Sequence, residues 1–176
     1  MTASTGMIQS RAFPYLVTAS IIALAALWLW HAGRVPICDC GYVKLWHGET
    51  MSSENSQHLA DWYTPSHIIH GLLFYGALWL IARRLSLGWR LAIATLVEAA
   101  WEIVENSDAV IERYRSVTIS LDYYGDSVIN SVADILAMLA NPDKEDALTN
   151  LRLLSEKLKV KLNEIPDFLE DYGDVF

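Results

Sequence analysis

Charge is scarce in this chain, and cysteine scarcer still. Only 19% of the 176 residues are Asp, Glu, Lys or Arg, against about 25% in a soluble domain. Residues 12–33 contain none at all. Bases are outnumbered by acids, 13 to 21, for a net charge of −8. That balance excludes the basic face a nucleic-acid partner requires. The two cysteines stand in Cys38-Asp39-Cys40, with no second pair to complete a zinc ribbon. A strained disulfide and a pair of free thiols both remain open, and neither is expected to be catalytic. A nucleophile motif, a phosphate loop and a dinucleotide fingerprint are missing too, which sets soluble-type chemistry aside.

What is present is apolar. Hydrophobic residues make up 53% of the chain, seven Trp and eight Tyr among them, and the mean hydropathy is +0.23. The charge-free run 12–33 has the length of about 20 residues that crosses a bilayer. A cleaved signal peptide would have a shorter apolar core and a small-residue cleavage site. Trp28, Trp30 and His31 follow here instead, so a retained anchor is expected. A second charge-free run covers 62–82, with Pro65 near its start and Arg83-Arg84 closing it. Less apolar spans are expected over 87–105 and 117–140. The fold class predicted is therefore all-α: an integral membrane bundle of about four transmembrane helices.

Residues 34–61 read as an irregular extramembrane loop that returns to the bilayer surface through Trp46 and Trp62. The turn between spans two and three holds Arg83, Arg84 and Arg90 and no acid, so it is assigned to the cytoplasm with the N-terminus. After Asn141-Pro142, Leu148, Leu151, Leu154, Leu158, Leu162 and Ile165 recur at helical spacing. They predict a charged amphipathic helix in a separate tail, 141–176.

Ionisable groups inside a bilayer cost about 2.5–3.5 kcal/mol each on insertion scales, so they are functional candidates by default. Glu98, Glu102 and Glu105 fall within about 60° of one another on a helix. Asp122, Asp126, Asn130 and Asp134 are spaced by four and form a second ridge. His67 and His70 share one face of span two. The orientation brings His67, His70, Glu102, Glu105, Asp122 and Asp126 to the same outer leaflet. These six are the candidate metal ligands, with Glu102 and Asp126 as candidate catalytic groups. Bundles hold divalent metals through such His and carboxylate sets, and zinc, iron or manganese suits the mixture. Glu98 and Asp134 lie deeper and are ranked as supporting groups. A proton relay and plain interhelical hydrogen bonding are the competing readings. Arg113 and Arg115 are close enough in sequence to pair with Glu105 and Asp122. His31, His47 and His58 read as surface histidines.

The segments TPSHIIHG (64–71), EAAWEIVENS (98–107) and DYYGDSVINSVADILAM (122–138), with CDCGYVKLWHG (38–48), resemble an uncharacterised family of small multi-pass bacterial inner-membrane proteins, known as a domain of unknown function. The resemblance covers roughly residues 10–140. It implies an inner-membrane location and a helical multi-pass fold, and no activity. Beyond about Ala140 the chain departs from the pattern, which is expected to continue with a further apolar span. A truncation, a frame change or a fusion would each produce that departure, and a homo-oligomer would then complete the bundle. The function expected is a metal-dependent membrane enzyme acting on a lipid or lipid-linked substrate. A proton-coupled transporter and a scaffold or assembly factor are the alternatives.

Overall fold

A computed structural model describes residues 11–117 and 123–140. Asp122 and the amphipathic tail over 141–176 lie outside the described residues. Among the described residues there are five helices and no strand: α1 (Phe13–His31), α2 (Thr64–Ile81), α3 (Leu87–Glu105), α4 (Asp108–Val117) and α5 (Val128–Leu139).

Pro14 sits in the first turn of α1, where its missing N–H costs nothing. The helix stops at Gly33, whose φ of +89° suits a residue without a Cβ. The Arg34 N–H then turns back to the Leu29 carbonyl. Of the five helices, α1 is long and apolar enough to cross a membrane.

Helix α3 packs chiefly on α1, and α2 packs chiefly on α5. Gly88, Ala92, Thr95, Ala99 and Glu102 are buried on α3, at alternating spacings of four and three. This stripe of mostly small residues lets backbones approach closely: a Cβ on Gly88 would lie 3.0 Å from Pro14 Cβ. Ala25, Ala99 and Ile135 meet where α1, α3 and α5 join, with Ile21 and Ile22 against them.

Burial is inverted relative to a soluble domain. Among the described residues seventeen polar or charged residues are buried, against ten hydrophobic ones. Leu24, Leu27 and Trp30 on α1, Ile69, Leu73 and Leu80 on α2, and Leu96 and Val104 on α3 all face outward.

The expected span over 117–140 is corrected. Among the described residues Val117 ends α4, residues 123–127 are not helical, and the span's own helix is Val128–Leu139, twelve residues. Gly125 breaks the helix with φ of +93°. A Cβ there would fall 2.7 Å from Ile111 Cδ1 and 2.8 Å from an Arg34 guanidinium nitrogen. Asp126 therefore precedes α5, and the ridge of four-residue spacings survives on it only at Asn130 and Asp134.

The expected loop over 34–61 is irregular and contains no helix, and it packs on the bundle, because it satisfies the start of α5. The N–H of Ser127 donates to the Ser56 carbonyl at 2.9 Å, that of Val128 to Val35 at 2.8 Å, and that of Ile129 to Pro36 at 3.2 Å. The N–H of Asn130 donates to the Ser127 side chain, the cap. The first four amide donors of a helix, normally orphaned, thus all have acceptors. The Asn130 amide adds a bond to the His58 carbonyl at 2.7 Å, and the Gln57 amide one to Gly125 at 2.7 Å.

Candidate functional site

Helices α2 and α3 run antiparallel through the short turn at 82–86, which sets the start of α2 beside the end of α3. Asp61 opens α2 by accepting the Tyr63 N–H at 2.7 Å. One turn further on, His67 and His70 point at α3, their rings 5.5 Å apart.

The centre of the cluster is Glu98. Its Oε1 lies 2.7 Å from His67 Nδ1, and both its oxygens lie 3.2 Å from His70 Nδ1. Glu98 is fully buried. Ranked by depth as a supporting group, it is the carboxylate that both histidines reach. Glu98 lies about two turns before the end of α3 at Glu105, and α2 reaches it there. Asp134 also moves inward, with its Oδ2 3.8 Å from His67 Nε2. Its Oδ1 accepts the Thr64 hydroxyl at 2.9 Å.

Glu102 lies beside this pair, its Oε1 3.5 Å from His67 Nδ1. Both its oxygens are buried, and neither accepts a hydrogen bond. A buried carboxylate without partners is costly, by several kcal/mol if it stays charged. A cation beside it would remove that cost. Two overlapping triads share His67: one with His70 and Glu98, the other with Glu102 and Glu105. In each, the ligand-bearing atoms lie within 4.8 Å of one another. Of the expected ligands, His67, His70, Glu102 and Glu105 therefore gather in one place.

Asp126 is held apart from the triads. It accepts the Asn106 amide at 2.9 Å and the Tyr123 hydroxyl at 2.9 Å, and its own N–H donates to Asn106 Oδ1 at 2.6 Å. It lines a cavity of about 240 Å³ that also touches His67, Glu105 and Asp134. Arg115 lies over the Tyr124 ring rather than on Glu105.

A second histidine group sits in the loop, and its reading as surface residues is corrected. His47 and His58 are buried, because the loop folds under them to reach α5. His58 Nδ1 accepts the Lys44 N–H at 3.2 Å, so its Nε2 carries the proton and donates to Glu54 at 3.0 Å. His47 Nε2 donates to the Glu49 carbonyl at 2.9 Å, and its Nδ1 faces the Lys44 ammonium at 3.4 Å. Lys44 and the Tyr42 hydroxyl also bind Glu54. The Lys44 contact, with help from His58 and Tyr42, holds the Glu54 carboxyl down at about 2. The same contact raises Lys44. Cys38 and Cys40 form a disulfide, which closes the alternative of free thiols. His31 is exposed at the end of α1.

Residues 29–142 match the family model described as protein of unknown function (DUF2585). The chain is 77% identical over 133 residues to a UPF0314 protein of Paracoccus denitrificans (strain Pd 1222), covering 76% of this chain and 69% of that protein. It is 60% identical over 120 residues to UPF0314 protein NGR_c32320 of Sinorhizobium fredii, covering 68% and 61%. It is 56% identical over 124 residues to a UPF0314 protein of Brucella anthropi, covering 70% and 63%. The chain thus spans about two-thirds of the length of these relatives, and less than that for the last two. No solved structure matches it. The chain belongs to the protein family of unknown function DUF2585.

Proposed function

We propose that this is a multi-pass bacterial inner-membrane protein that holds a divalent metal on His67, His70 and Glu98 and acts on a lipid or lipid-linked substrate. The observation that carries the reading is the convergence of both imidazole Nδ1 atoms on Glu98, inside helices whose leucines and tryptophans face outward. A soluble domain would bury those side chains, and lipid tails accept them. Arg83 stacked 4.2 Å from the Trp79 ring supports an interfacial position for the end of α2.

The donor set suits zinc, iron or manganese. A bound ion would supply Lewis acidity and water activation. Of this chain's own groups, Glu102 is the proton acceptor, because its oxygens are unclaimed. Asp126 orients substrate from the cavity wall. His67 and His70 would hold a metal in their neutral form, so uptake would compete with protonation and weaken as pH falls.

Elemental analysis of protein purified in detergent tests the reading. The native chain is expected to carry about one metal per molecule, and His70→Ala and Glu98→Ala less than a tenth of that. A native protein free of metal, or variants that retain it, would sink the proposal. A second reading, a proton path, is favoured by the line Glu98, His67, Asp134 at 2.7 and 3.8 Å. It predicts that Glu98→Gln and Asp134→Asn abolish proton flux in proteoliposomes, and unchanged flux would rule it out.

A further inference from the structure

The cavity beside His67 has a chemistry of its own. Three carboxylates line it, Asp126, Asp134 and Glu105, and among the described lining residues none is lysine or arginine. Three tyrosines, Tyr63, Tyr114 and Tyr123, form much of the rest. Acids with aromatic walls are the surroundings that recognise organic cations, through charge and through the ring faces.

An independent feature says what kind of cation. Asn55 also lines the cavity and is 96% buried. Its side-chain oxygen has no hydrogen-bond partner. A buried acceptor left empty is costly, about 1–3 kcal/mol, and a ligand that donates would fill it. A quaternary ammonium has no N–H to give, whereas a primary ammonium has three. At about 240 Å³ the space falls below the roughly 300–1,000 Å³ of drug-sized pockets. It fits a headgroup or a small amine, not an acyl chain.

We propose that this cavity binds a primary ammonium group, with Asn55 and the Asp126 and Asp134 carboxylates as its acceptors and Tyr63 at its open rim. The group comes either from an ethanolamine-type lipid headgroup or from a free small amine. Read as a substrate site, it places the ammonium next to His67, so that the bonds beyond it lie against the metal ligands. That step rests on the metal reading above, and the binding itself does not.

The test uses the full chain in nanodiscs of phosphatidylglycerol, in phosphate buffer free of amines. Calorimetric titration with ethanolamine is expected to saturate, and choline to bind at least tenfold more weakly. Asn55→Ala should weaken ethanolamine at least tenfold. Tyr63→Ala, at an exposed rim where folding is not at stake, should weaken it severalfold. Short-chain phosphatidylethanolamine binding more tightly than ethanolamine assigns the source to lipid, and the reverse order assigns it to a free amine. Absence of saturation with either ligand overturns the proposal, as do choline binding equally well or both variants binding like the native chain. Ethanolamine binding that survives metal stripping with EDTA shows the site to be the cavity's own, and loss on stripping overturns it. Stoichiometric metal without amine binding removes this proposal and leaves the metal reading standing.

Discussion

The molecule builds two histidine–carboxylate clusters from the same residue types and finishes them differently. In the loop, each nitrogen of His47 and His58 faces a protein partner, and Lys44 balances Glu54. Between the helices, His67 and His70 share one carboxylate, Glu98, while neither oxygen of Glu102 beside them accepts a hydrogen bond. The first cluster is complete as protein. The second leaves carboxylate oxygens without donors. Residue content alone would rank the two alike, and what separates them is whether the donors and acceptors close among themselves.

If the loop cluster is part of the fold, breaking its junction with α5 should cost stability and leave the helix cluster's ligands in place. Gly125→Ala combines a strained φ with crowding against Ile111 and Arg34. It is expected to cost about 2–4 kcal/mol, read as a lowered thermal midpoint in detergent. Asn130→Ala leaves the His58 carbonyl without its donor and should cost about 1–3 kcal/mol by the same assay. A midpoint within error of native in both would mean that the loop is mere surface after all.

The smallest effect is a pH dependence. Glu54 is lowered in the folded protein from an ordinary 4.5 to about 2. A lowered carboxyl stabilises the fold fully above its unfolded value. That contribution is lost as pH falls from about 4.5 toward 2. Trp46 and Trp62, whose rings meet at 5.4 Å, report the loop by fluorescence. Native protein should lose loop order across that window, and Glu54→Gln should flatten the loss. Identical acid profiles would deny Glu54 its role in holding the loop.

The first two helices were readable because absence of charge marks them, and the third by its hydropathy despite four charges. The runs 12–33 and 62–82 contain α1 and α2, and 87–105 coincides with α3. The gathering of His67, His70 and Glu102 was readable from helical spacing. The partner of the two histidines was not, since one turn of register between α2 and α3 decides between Glu98 and Glu102. The break before α5 was hidden too. The four-residue spacing from Asp122 to Asp134 imitates a helix, and only the crowding at Gly125 explains why the chain is bent there. His47 and His58 looked like surface residues because their burial depends on carbonyls some seventy positions from their α5 donors.

The comparison is tested most directly by titrating cobalt into metal-stripped protein and following the visible absorption of the bound ion. Native chain, Glu98→Gln and His58→Ala are run side by side. The account predicts one site in the native chain and in His58→Ala, with binding at least tenfold weaker in Glu98→Gln. Binding lost with His58→Ala but kept in Glu98→Gln would contradict it, for the metal would then belong to the loop.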